Sequence, residues 1–280
     1  MEIRSYPDAG SFLRENIAFL EQEEAANNML LGLALGLKGR EEGGHTANFL
    51  SVVRSGWPIF CALQTPPRNL IAYGLNEEAP STAHLASDFF SSRGIEIPGV
   101  FGLKPFIEPF AGSWVAHKGG AWEMKREMGA FKLDGVTMPA FSGGRLRAAE
   151  KNDELLALDW IMAFNREALG EADEEQCRKL VGSLLKQRCL FFWEDSAPVS
   201  MAAATRPTRH GITINAVYTP PAHRGKGYAS NCVARLSQNM LDKGYRFCSL
   251  FTDLKNPTSN KIYQAIGYRK VADFVEAVWV

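Results

Sequence analysis

Val217-Tyr218-Thr219-Pro220-Pro221-Ala222-His223-Arg224-Gly225-Lys226-Gly227-Tyr228-Ala229-Ser230 decides how this chain is read. The run Ile212 to Thr219 enters it as a strand. Gly225 and Gly227 mark a loop, and a helix follows to about Lys243. Ala229, Val233, Leu236 and Met240 recur at steps of 4, 3 and 4 residues and so share one helical face. A strand–loop–helix unit of this kind brings unpaired backbone N–H groups to the loop, where the helix macrodipole favours negative charge. Glycines let the backbone approach a ligand closely. Arg224 and Lys226 add two positive side chains. These features predict a phosphate or pyrophosphate as the target.

Two common phosphate loops do not fit. Lys226 is followed by Gly227-Tyr228, which is not a Walker A context, and no G-x-G-x-x-G is present here. Arg224 to Ala229 does fit R/Q-x-x-G-x-G/A. It resembles the pyrophosphate loop of the GCN5-related N-acetyltransferases, the GNAT family. A second segment, Asn256-Pro257-Thr258-Ser259-Asn260-Lys261-Ile262-Tyr263-Gln264-Ala265-Ile266-Gly267-Tyr268, resembles that family's later motif. The order and spacing of the two agree with the family, and the resemblance covers about Arg145 to Val280.

The resemblance implies a GNAT fold: a mixed, mostly antiparallel central sheet flanked by helices. It implies acetyl-CoA as co-substrate and a primary amine of a small molecule as acceptor. The backbone of Arg224, Gly225, Lys226, Gly227, Tyr228 and Ala229, with Ser230 in the same helical turn, would bind the CoA pyrophosphate. Val217 and Thr219, on either side of Tyr218, would pair with the pantetheine arm like an added half-strand. Asn256 would hold the pantetheine or cap the last helix. Tyr263 matches a tyrosine that protonates the departing thiolate, and a phenol can donate in that way at neutral pH; its alternative role is a packed aromatic. Tyr268 reads as core. The implied mechanism is direct attack of the amine on the thioester in a ternary complex. The backbone N–H of Val217 would stabilise the oxyanion. No general base stands out. Asn215 cannot act as one, His210 reads as a surface-turn residue, the Val280 carboxylate is conceivable, and a water chain is the default. Two other functions stay open: a non-catalytic acyl-CoA-binding sensor or assembly module, and a protein or peptide N-acetyltransferase.

Composition sets the outer bounds. The chain has 280 residues, 31 Lys+Arg against 31 Asp+Glu, 46% hydrophobic and 22% charged residues. That mixture excludes global disorder. Zero net charge disfavours nucleic acid as a partner. The five cysteines form no C-x-x-C, and the five histidines form no H-x-x-x-H, so no disulfide framework and no metal site is predicted. Met1 to Tyr6 lacks the apolar core of a signal peptide. Met29 to Leu37 is too short to span a membrane and reads as a buried helix. A cytoplasmic monomer or homodimer is the expectation.

The length allows two domains. Met138-Pro139-Ala140-Phe141-Ser142-Gly143-Gly144 is the composition break, giving domains at 1–140 and 141–280. The second half reads β-α-α-β-β-β-loop-α-β-α-β, an α/β plan. In the first half, helices are predicted before a break at Gly39 to Gly44. Strands are predicted at Phe49 to Arg54, Pro58 to Leu63 and Asn69 to Gly74, with a turn at Pro66-Pro67 and another strand at Phe131 to Val136. Pro98 to Gly102 reads as a loop between helices. The order is similar to that of the second half but lacks the Arg-x-x-Gly-x-Gly/Ala loop. It is therefore expected to be a degenerate GNAT-like domain, with Phe101, Phe106, Phe110, Trp114 and Trp122 mainly in its core.

Overall fold

The computed structural model describes residues 1–39 and 47–280. Most of the predicted helix break at Gly39 to Gly44, and His45, lie outside the described residues. Twelve strands and eight α-helices are present among those described. The first ten elements are β1 (Glu2–Tyr6), α1 (Ala9–Leu20), α2 (Asn28–Leu37), β2 (Asn48–Arg54), β3 (Trp57–Gln64), β4 (Leu70–Gly74), α3 (Ala79–Ser92), β5 (Gly99–Leu103), α4 (Lys104–Lys118) and β6 (Trp122–Leu133). The next ten are β7 (Arg145–Ala148), α5 (Glu154–Leu169), α6 (Glu174–Lys186), β8 (Leu190–Asp195), β9 (Ala197–Thr205), β10 (Gly211–Tyr218), α7 (Tyr228–Asp242), β11 (Phe247–Asp253), α8 (Pro257–Ile266) and β12 (Arg269–Trp279). Each set reads β-α-α-β-β-β-α-β-α-β. The chain is one α/β plan written twice.

Two compact units result, and they interleave in sequence. One gathers residues 1–131, 251–257 and 270–280, the other 132–250 and 258–269. In the first, β1, β2, β3 and β4 form an antiparallel run, and β5 joins β4 in parallel. Both faces of this sheet are covered. Phe60, Phe90, Phe106, Phe110 and Trp114 form a core on the α3–α4 side, while Phe12, Phe19, Leu30, Leu31, Phe49 and Leu63 pack with α1 and α2. This is why β2 and β3 read as unbroken apolar runs and not as alternating ones.

Two expectations change here, and one strand comes without a sequence signal. Glu2–Tyr6 is a strand, at the β2 edge, although its charged alternation gave no strong apolar signal. Pro98 to Gly102 is not a loop. From Gly99 onward it is β5, paired with β4 on one side and β12 on the other. A Cβ on Gly99 would stand 2.5 Å from the Ala277 carbonyl, and one on Gly102 would stand 3.0 Å from that of Ala72. The glycines serve close strand approach, not turning. Finally β12, expected with the second half, pairs antiparallel with β5, from Phe274 against Leu103 to Val278 against Gly99. Trp279 stacks on Trp114 at 5.7 Å and donates its ring N–H to the Ile97 carbonyl.

In the second unit, β7, β8, β9 and β10 are antiparallel, and β11 joins β10 in parallel. Trp160, Ile161, Val181, Leu190, Phe192, Met201 and Tyr218 pack together on the α5–α6 side. Cys232, Val233, Leu236 and Met240 bury one face of α7. The sheet is thus mixed and mostly antiparallel, as the sequence predicts. No helix among the described residues is long and apolar enough to cross a membrane. None of their His, Cys, Asp and Glu side chains form a group of three able to hold a metal ion.

Candidate active site

The site grows from two irregularities in β10. Asn215 registers with Ala203, but the next pair is Tyr218 with Met201. Ala216 and Val217 therefore oppose the single residue Ala202, which is a β-bulge. Ala216 takes φ 48°, a left-handed conformation that costs an alanine about 1–2 kcal/mol. The second irregularity faces β11. The parallel ladder runs from Gly211 against Phe247 to Thr213 against Ser249 and goes no further. Past Thr213, β10 continues to Tyr218 with no ladder on that side.

The loop that leaves β10 is tied down at its start. Thr219 Oγ1 lies 2.9 Å from Ser200 Oγ, and that hydroxyl also donates to the Tyr218 carbonyl at 3.2 Å. Pro221–His223 makes a short 3-10 turn. Gly225 and Gly227 follow at φ 77° and 78°. A Cβ on Gly225 would meet nothing within 4 Å, so it is the backbone angle and not crowding that calls for glycine there. Gly227 is the N-cap of α7, and no side chain caps that helix. By contrast, Asp8 caps α1 through Ser11 N–H at 2.7 Å and Asp173 caps α6 through Gln176 N–H at 2.8 Å. The first-turn N–H groups of α7 are left to face the glycine loop without a side-chain acceptor.

The side chains of the predicted residues divide by task. Arg224 donates from Nε to the Thr219 carbonyl at 2.8 Å and from Nη2 to both Glu167 oxygens at 2.8 Å. Its guanidinium braces the loop and its charge is balanced, where the sequence suggested a second free positive charge. Lys226 is exposed, with no ion pair among the described residues. Tyr218 packs into the core, edge-on to Trp160 at 6.1 Å, and its ring also lies under the Arg224 guanidinium at 5.7 Å. Tyr228 donates its hydroxyl to Asp195 at 2.6 Å, and that carboxylate raises the phenol's pKa. Ala229 and Ser230 stand partly buried in the first turn of α7.

Tyr263 is half-buried on α8 in the same unit, with its ring edge-on to Tyr268 at 6.0 Å. Burial, with Cys232 nearby, raises its phenol above the ordinary tyrosine range, so it stays protonated at neutral pH. Tyr268 is core and shares a 2.7 Å hydrogen bond with Ser237 Oγ. Asn256 lies in the turn before α8, its N–H on the Asp253 carbonyl at 3.0 Å, and clusters with the first unit. His210 stands in the turn before β10, where its carbonyl accepts from Arg246 N–H at 2.7 Å. Val280 exchanges two main-chain hydrogen bonds with Ala121 in the first unit, which commits the end of the chain to that sheet.

One supporting residue escaped the sequence reading. Asn231 is buried on α7, and its Nδ2 donates to the Gly227 carbonyl at 3.1 Å and the Ala140 carbonyl at 2.9 Å. The segment between the two repeats is thereby fastened to the start of α7. Trp193 Nε1 adds a bond to the Gly143 carbonyl at 2.8 Å. Helical periodicity gave no signal for it: Asn231 lies opposite the Ala229, Val233, Leu236 and Met240 face, on the side of Arg235, Gln238 and Asp242, and only its place four residues after the loop glycine marks it.

Residues 195–280 match the FR47-like protein family. A search of curated proteins returns no match. Among solved structures, a Drosophila protein is similar at TM-score 0.69 and 12% identity, over 99% of this chain and 98% of that one. A GCN5-related N-acetyltransferase from Sphaerobacter thermophilus is similar at TM-score 0.63 and 16% identity, over 98% and 94%. A tandem GNAT protein from the clavulanic acid biosynthesis pathway is similar at TM-score 0.57 and 12% identity, over 99% and 98%. At these identities the likeness is one of fold. Over nearly its whole length the chain shares the fold of these GCN5-related N-acetyltransferase structures, and its residues 195–280 match the FR47-like family.

Proposed function

We propose that this protein is an acetyl-CoA-dependent N-acetyltransferase acting on a primary amine of a small molecule, with 141–280 as the working half and 1–140 as a degenerate one. The observation that carries the reading is the α7 N-terminus. It has no side-chain cap, two left-handed glycines before it, and a strand whose ladder has stopped beside it. Such a site fits a pyrophosphate continued by an extended, amide-bearing arm. The corresponding stretch of the first half, Leu75 to Glu78, has no glycine and places Glu77 and Glu78 before α3. Carboxylates at a helix N-terminus repel a phosphate, so binding is assigned to the second half alone.

Bound acetyl-CoA would supply an activated acyl carbon and a thiol leaving group. The main chain from Arg224 to Ala229, with Ser230 in the same turn, would hold its phosphates, Lys226 adding charge and Arg224 keeping the loop in shape. Val217 and Thr219 would offer main-chain groups to the pantetheine amides on either side of Tyr218. The Val217 N–H, displayed by the bulge, would donate to the oxygen of the tetrahedral intermediate. Tyr263, kept protonated by burial, would give its proton to the thiolate. Water would remove the proton of the amine. The test is thiol release from acetyl-CoA over a panel of amines. Turnover on a small amine supports the reading. Coenzyme A binding by calorimetry with no turnover on any small amine or peptide would point to a sensor or assembly module instead.

A further inference from the structure

Asn215 is a polar side chain that nothing else in the fold uses. It sits just before the bulge in β10, and its register partner Ala203 belongs to the core against α5 and α6. Cross-strand partners share a face, so the carboxamide projects from that same side. Its Oδ1 is shut off from solvent and has no hydrogen-bond partner. Folded proteins pair nearly all such atoms, because an unpaired one loses its hydration without compensation.

The surroundings are unusual in the same way. Thr213 registers with Thr205 on β9 and with Ser249 on β11, and its hydroxyl lies 3.2 Å from that of Ser249. The Thr205 hydroxyl is also buried without a partner. A polar strip thus crosses an otherwise apolar sheet face where β10 and β11 part. The next residue, Ala216, holds a left-handed φ. An unpaired amide, an unpaired hydroxyl and a strained backbone, side by side, are features that stability alone does not select.

We propose that Asn215 is a positioning residue for the acceptor, its Oδ1 accepting a hydrogen bond from an N–H of a primary amine. The assignment rests on the acyl-transfer reading and names how its substrate is held. No hydrogen bond fixes the oxygen, and the terminal torsion of asparagine is broad, so the amide can turn to meet a donor. A primary amine has two N–H bonds and one lone pair. One N–H engages Asn215 and the lone pair points to the acyl carbon. The C–N bond then forms, the C–S bond breaks, the thiolate takes a proton, and the amine's extra proton passes to water. An amide suits this task better than a carboxylate, which would favour the ammonium form that cannot attack.

Asn215→Leu and Asn215→Asp test the assignment in the full chain, with thiol release as the assay and the most active small primary amine of a panel as acceptor. Asn215→Leu removes a buried unpaired oxygen and is expected to keep or raise Tm. The acceptor KM should rise about tenfold, the effect of losing one neutral hydrogen bond, while the KM for acetyl-CoA stays the same. Asn215→Asp should move the ascending limb of the pH–rate profile upward by about one unit, as a carboxylate beside an amine does. An unchanged acceptor KM in Asn215→Leu, or a fall in Tm with both KM values preserved, overturns the assignment and leaves acyl transfer standing. No turnover by the unaltered chain on any amine overturns the acyl-transfer reading, and the assignment with it.

Discussion

Replacing Gly227 by alanine isolates what the loop backbone contributes to ligand binding. Gly227 holds φ 78°, and a Cβ there would meet Ser142 Cβ at 3.5 Å, an ordinary contact. Sterics around the residue therefore do not oppose the change. The left-handed angle does, by about 1–2 kcal/mol for an L-residue. If the loop relaxes to escape this strain, the α7 N–H groups lose their alignment, and the cost appears as weaker coenzyme A binding. At 1.4 kcal/mol per tenfold, the loss is about 5–30-fold in Kd. If the loop holds its shape, the same cost appears as lower stability and a lower Tm. Asparagine tolerates left-handed φ better than other non-glycine residues, so Gly227→Asn should fall between glycine and alanine. Gly182 in α6 serves as control, since its Cβ would meet nothing within 4 Å and its angle is helical. Gly182→Ala should raise stability by about 0.5–1 kcal/mol and leave binding alone. Calorimetric titration with coenzyme A and thermal melts of the three variants read both arms. Gly227→Ala with unchanged Kd and unchanged Tm would refute the role given to this backbone.

Other outcomes follow from the same structure. Tyr263→Phe should lower kcat about 100-fold or more with little change in the KM for acetyl-CoA, and full activity would remove its role as acid. Burial pushes the thiols of Cys232 and Cys248 up to about 12 from 9.0. Groups raised in this way favour the folded state below their unfolded value, and the contribution is lost as pH climbs through the folded one. Stability should hold below pH 9.0 and decline between 9.0 and about 12, with Cys232→Ala flattening the decline in pH-dependent melts. Deleting residues 270–280 removes the antiparallel partner of β5 and the Trp279 stack on Trp114, so the first unit should lose cooperative melting although its own repeat is intact. Retention of a single sharp transition would contradict that.

Much of the second half was legible because its signals are local. The loop motif and the apolar face of α7 are short-range patterns, and each produced the element it predicted. The first half was harder where one residue type serves two purposes. Gly99 and Gly102 read as loop punctuation, and only the neighbouring strands reveal that they make room for main chain. Arg224 read as a charge for the ligand, and only the fold brings Glu167, 57 residues earlier in the chain, against it.

From sequence alone, the α/β class, the glycine loop between β10 and α7 and the helical setting of Tyr263 follow, since each depends on spacing within or between neighbouring elements. Tertiary structure decided the rest. It set β12 against β5, opened the β10–β11 ladder after Thr213, fastened Asn231 to the inter-repeat segment, and left the Asn215 amide without a partner. Pairing and satisfaction are properties of residues brought together from distant positions. No periodicity in the chain encodes them.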